Sequence, residues 1–132
     1  MRAYTVATVA VALRVPAKWV DNTLSHHRVP GASKAKQGIA RRLTPEAVVV
    51  LAIAIILSRS LAVSAGRSIS IARELFRAGG SEATYELGDA GELRLDVAAI
   101  ESRVMHRLAE AVEIAPIPRR GRPPVSTRKT AI

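Results

Sequence analysis

The chain has no cysteine. That excludes a disulfide framework, thiolate metal ligands and a thiol nucleophile, and it fits a reducing compartment. Aromatic residues make up only 3% of the sequence, so any core must be assembled from Val, Ile, Leu and Ala. Long hydrophobic runs are missing too. The longest, residues 47–57, would rise about 16 Å as a helix, roughly half of a bilayer core of about 30 Å. Ser58-Arg59-Ser60 then ends it, so a buried core helix is expected and no membrane span. A secretory signal is not expected either. Met1-Arg2 is a thin basic region, Thr8 and Arg14 interrupt the apolar stretch, and no clear small-x-small cleavage site precedes a polar mature start.

Catalytic constellations are equally sparse. Ser58, Ser60, Ser64, Ser68 and Ser70 lack a spaced His and acid partner. Gly79-Gly80 and the glycines of 88–91 lack the lysine and following helix of a phosphate loop. His26 and His27 have no Cys or paired carboxylates beside them, and His106 reads as a surface residue, so a metal site is not expected. The sequence reads as a non-enzyme without a cofactor.

What the chain does have is segregated positive charge. Its 132 residues, 48% of them hydrophobic, suffice for one compact domain with small appendages. The formal net charge is +9. Residues 1–44 hold eight Lys or Arg against Asp21 alone, and residues 114–132 hold five basic residues and no acid. Between them, residues 79–113 hold eight acids against three basic residues. Two basic blocks around an acidic one predict that the ends meet a phosphate backbone while the middle faces away or meets a protein.

Along the chain, residues 5–13 place Val6, Val9, Ala10 and Leu13 at helical spacing behind a capping Thr5. The same β-branched run also suits a buried strand. The break at 14–16 and the amphipathic stretch after it favour a helix, because that is the spacing of a helix-turn-helix. Pro16 opens the second helix, with Val20 and Leu24 as its buried stripe and Lys18, Trp19, Asn22 and His26 on the opposite face. A basic, turn-rich ribbon follows over 28–43, with Arg28, Lys34, Lys36, Gln37, Arg41 and Arg42. Thr44-Pro45-Glu46 is a strong helix start, joining a capping hydroxyl, a proline at the first position and an acid in the first turn. Being apolar on every side, that helix should be packed all round. Another helix is predicted over 64–78, with Ile69, Ala72 and Leu75 or Phe76 inward and Gly79-Gly80 as its stop. Alternation then predicts strands at 84–87 and 92–97 around the 88–91 turn. Asp96 caps a last helix to residue 113, whose stripe of Val97, Ile100, Val104, Leu108 and Val112 suits either the monomer core or a seam with a second copy.

This order of elements, with Gly38-Ile39-Ala40-Arg41-Arg42-Leu43 leading into Thr44-Pro45-Glu46, resembles the MerR-type winged helix-turn-helix family. The likeness covers roughly residues 5–76 and is closest to minimal, excisionase-like or antitoxin-like versions. It implies a mainly α fold with small β-hairpins, a winged helix-turn-helix with a C-terminal hairpin and helix. It further implies that the 16–26 helix enters the major groove, that the ribbon grips phosphates as a wing, and that the protein binds as a dimer. The chain departs from the family at Arg14, where a turn glycine is common, at Asp21 and Asn22, usually basic and aromatic, and at Leu43, usually aromatic.

The tail segment Pro118-Arg119-Arg120-Gly121-Arg122-Pro123 resembles an AT-hook, in which glycine lets the backbone lie deep in the minor groove and arginines enter it. The chain is thus divided into a DNA-binding unit (1–78), an acidic hairpin-helix extension (79–113) and a disordered basic tail (114–132). The expected function is sequence-specific binding of double-stranded DNA by a cytoplasmic, nucleoid-associated regulator. Base reading falls to Lys18, Asn22, Thr23 and His26. Phosphate holding falls to Arg28, Lys34, Lys36, Gln37, Arg41 and Arg42, and minor-groove contact to Arg119, Arg120, Gly121 and Arg122. Trp19 is suited to stacking on DNA or to packing at the hairpin-helix junction. Two other readings remain: an antitoxin-like module whose acidic 82–113 segment covers a partner protein, and an RNA-binding protein.

Overall fold

The computed structural model describes residues 2–33 and 39–114. It is mainly helical, with two small antiparallel strand pairs. Strand β1 (Tyr4–Thr5) leads directly into α1 (Val6–Leu13), where the Thr5 hydroxyl accepts from the Thr8 amide at 3.2 Å. That cap settles the ambiguity of the run in favour of a helix. Arg14 then takes a left-handed conformation, φ 57°, and lets the chain turn within 14–16 into α2 (Ala17–His26). The position where a glycine is common is therefore one where the backbone has the conformation glycine tolerates best.

Strand β2 (Arg42–Leu43) precedes α3 (Pro45–Leu61), the centre of the molecule. Its first turn is closed by the Thr44 hydroxyl, which accepts from the Ala47 amide at 3.3 Å. Every residue from 47 to 55 is buried, as is Leu57, and Ile56 alone in that run is half-exposed. Full burial contributes about 1.5–3 kcal/mol for each large aliphatic side chain, so Leu51, Ile53 and Leu57 fix the position of everything packed on them. Helix α4 (Ala65–Ala78) lies along α3 with Ile69, Ile71, Ala72 and Leu75 buried. Gly79 caps its end.

The acidic segment is part of the same body. Strand β3 (Glu82–Glu86) pairs antiparallel with β4 (Glu92–Asp96), from Glu82 opposite Asp96 to Glu86 opposite Glu92. A 3-10 turn at Gly88–Ala90 lies between them. Strand β3 begins two residues earlier than the alternation predicts, because Ala83 is the buried residue there and an alanine carries little pattern. The Asp96 carboxylate accepts from the Ala99 amide at 2.9 Å and starts α5 (Val97–Ile114), which packs on α1 and α3. Val97, Ile100, Val104, Leu108 and Ala111 join the core cluster that also holds Tyr4, Val20 and Leu51. This decides between the two uses of the stripe: it completes the monomer core. Val112, counted in that stripe by spacing, is instead 40% exposed. Residues 79–114 therefore share one core with residues 2–78, and are not an appendage.

A two-residue strand at the N-terminus escapes pattern reading. Leu43 pairs with Tyr4 and also bridges to Ala32, so it lies between two neighbouring strands and is fully buried. Just before it, Ser33 and Arg42 exchange two bonds. The Ser33 amide donates to the Arg42 carbonyl at 2.9 Å, and the Arg42 amide donates to the Ser33 hydroxyl at 2.8 Å. Just after it, the Thr44 amide donates to the Gly31 carbonyl at 3.0 Å. No helix among the described residues is long and apolar enough to cross a membrane.

Gly31 has φ +89°, and a Cβ built there would collide with the Thr44 hydroxyl oxygen that caps α3. Gly31→Ala should therefore cost about 2–3 kcal/mol, as backbone strain adds to a damaged cap, and urea denaturation measures it. Ala62, φ 55°, ends α3 in the left-handed region on an exposed surface. Ala62→Gly should add about 1 kcal/mol and raise the melting temperature by roughly 3–5 °C.

Candidate nucleic-acid interface

Helix α2 divides its residues by spacing. Val20, Thr23 and Leu24 point inward and are buried, whereas Lys18, Asp21, Asn22, Ser25 and His26 are exposed. Thr23, assigned by sequence to base reading, belongs to the core face: it is 6% exposed, three residues after Val20 and next to Leu24. Its short side chain fills that stripe and is not available to a ligand. Trp19 packs, as one of its two readings expects, but against α3 and not at the hairpin. It is half-buried beside Val15, Ile55 and Arg59, so its ring packs where α2 leaves the turn and meets α3. The outward face is thus Lys18, Asn22 and His26, with Asp21 and Ser25 between them.

Asp21 and Ser25 are held by Arg41 from the ribbon. The Arg41 Nη2 donates to the Ser25 hydroxyl at 2.9 Å, and Ser25 donates to the Asp21 carbonyl at 2.8 Å. The Arg41 Nε is 3.4 Å from the Asp21 carboxylate oxygen, within ion-pair distance but off hydrogen-bond alignment. Only 11% of the Arg41 side chain is exposed. This corrects its assignment as a phosphate ligand: its guanidinium is folded onto α2 and joins the ribbon to the helix. A bare carboxylate would repel an anion, and Arg41 is the charge that offsets Asp21.

The remaining polar groups surround this tie. His26 donates its Nδ1 hydrogen to the Asn22 carbonyl at 2.7 Å, which leaves Nε2 as its second hydrogen-bonding atom. Arg42 and Arg28 are both exposed, and the Arg28 carbonyl accepts from Arg73 Nη1 of α4 at 3.3 Å. Between the end of α2 and the ribbon lies an open polar cleft of about 560 Å³, lined among others by Ser25, His26, Arg28, Ser33 and Arg41. A cleft with this donor-rich lining is suited to oxygen acceptors such as phosphate. No group of three His, Cys, Asp or Glu among the described residues is placed to hold a metal ion.

The structure therefore leaves Lys18, Asn22 and His26 exposed on one side of α2, leaves Arg28 and Arg42 exposed after it, half-buries Trp19 and turns Thr23 inward. Lys34, Lys36 and Gln37 lie outside the described residues, as do Arg119, Arg120, Gly121 and Arg122. Ser25 and Asp21 are site residues that sequence reasoning left out. Their i, i+4 spacing was the available signal, but it identified no partner until Arg41 was placed beside them. Comparison of the chain with family models, with curated proteins and with solved structures gave no match.

Proposed function

We propose that this protein binds double-stranded DNA as a winged helix-turn-helix and acts as a sequence-specific transcriptional regulator, a repressor or an accessory factor. The observation that carries the proposal is the Arg41 tie, which joins an exposed polar helix face to a basic strand as one surface. In this reading α2 enters the major groove, where Lys18, Asn22 and His26 meet base edges. Arg28 and Arg42, with Lys34, Lys36 and Gln37, hold phosphates. Arg119, Arg120, Gly121 and Arg122 lie along an adjacent A·T-rich minor groove. Binding as a homodimer belongs to the same proposal, and the exposed Met105 and Val112, one heptad apart on α5, offer an apolar seam for it.

One observation favours a second reading. The β3–β4 hairpin exposes Glu82, Glu86, Asp89 and Glu92 around a 53% exposed Leu87, a surface that suits a basic protein partner. A complex held by Leu87 should survive high salt, whereas duplex binding should not.

Fluorescence anisotropy with a duplex from the gene's own upstream region, across a salt series, tests the main proposal, with duplex RNA as competitor. Arg42→Ala should weaken binding to every duplex and lower the log–log salt slope by about 1. Asn22→Ala should instead cost about 1–3 kcal/mol on the cognate sequence alone and leave the slope unchanged. Asp21→Asn removes the surface anion and releases Arg41, so binding to unrelated duplexes should rise several-fold while sequence preference falls. Equal affinities for wild type and all three variants would refute the assignment of this surface.

A further inference from the structure

A second hollow, of about 520 Å³, lies between the root of the ribbon and helices α3 and α4. Its walls are Pro30, Val50 and Phe76, and its rim carries Arg73, Arg77 and Glu46. That size falls within the range of small-molecule sites, and so does an apolar lining with a few polar groups at the edge. The arginines are four residues apart on α4 and so lie on one side of it. Among the described residues neither comes within 4 Å of a carboxylate. The guanidinium of Arg73 instead donates to a neutral partner, the Arg28 carbonyl, at 3.3 Å.

We propose that this hollow binds a small, flat, apolar molecule bearing one carboxylate. The ring of Phe76 and the ring of Pro30 favour a planar body over a branched one. Two guanidinium groups favour a carboxylate, which can take parallel hydrogen bonds from either fork. Glu46 on the rim disfavours a second negative charge, which separates this class from di- and polyanions. A carboxylate at Arg73 competes with the Arg28 carbonyl, so occupancy loosens the tie between α4 and the residue that follows the α2–His27 end. The proposal stands apart from duplex binding, since its test contains no DNA.

The test is a nitrogen–proton correlation titration of the full chain with 2-naphthoate, and in parallel with the neutral 2-naphthamide. Naphthoate should move the amide signals of Val50, Arg73 and Phe76, and also those of Arg28 and Val29, which do not line the apolar wall together. Naphthamide should bind about tenfold more weakly. Arg77→Gln, a change at an exposed position, should reduce naphthoate affinity about fivefold to tenfold and leave naphthamide affinity as it was. Phe76→Ala should weaken both. Equal affinity of the two probes, shifts confined to other surfaces, or no shift up to the solubility limit would each overturn the proposal.

Discussion

The burial of α3 on every side is the constraint from which the other placements follow. A helix with no polar stripe cannot lie on a surface, so α4, α5 and β2 must all supply covering surface. Its start is equally determined. Thr44 caps it while donating its own amide to Gly31, so the first turn of α3 and the root of the ribbon are one hydrogen-bonded unit. Leu43, fully buried just before that cap, is held by Tyr4 on one edge and Ala32 on the other. The position of the basic strand is therefore set by the core and not by its own few backbone bonds.

A cationic surface made only of unpaired arginines would repel itself and bind any polyanion. Here the most buried arginine of the surface is matched to a carboxylate, and the charges left exposed stand around that pair. A buried, aligned pair would stabilise strongly, but Asp21 is 55% exposed and the Nε contact is off-axis. Solvent screens such a pair, and its net contribution to folding is on the order of 1 kcal/mol or less. Its larger effect is geometric, because Ser25 adds a second attachment point to the same guanidinium. A ribbon root fixed at two points keeps a constant offset from the helix.

Legibility followed the strength of local signals. The starts of α1, α3 and α5 were readable because Thr5, Thr44 and Asp96 cap through their own side chains, a bond that needs only local chain. The core of α3 was readable because eleven consecutive apolar residues leave no alternative. Strand β1 was not, since two residues carry no periodicity and its partner lies thirty-seven positions away in the chain. The burial of Thr23 and the packing partner of Trp19 were not legible for a related reason. A threonine is apolar enough to close a stripe, and a single tryptophan offers no spacing against which to test it. The role of Arg41 depends on a contact sixteen residues distant, and adjacent arginines in a strand look alike until one is seen to point inward.

The shared core also gives the charge segregation its meaning. Had residues 79–113 formed a separate unit, their eight acids could swing away from a polyanion and would exert no lasting torque. Packed on α1 and α3 through Val97, Ile100, Val104 and Leu108, they cannot move relative to α2 and the ribbon. A rigid body with cations on one element and anions on another carries a fixed dipole. Such a dipole acts on a charged partner only within about a Debye length, near 8 Å at physiological salt. The aliphatic packing that folds the chain has already set the angle at which the charges are presented.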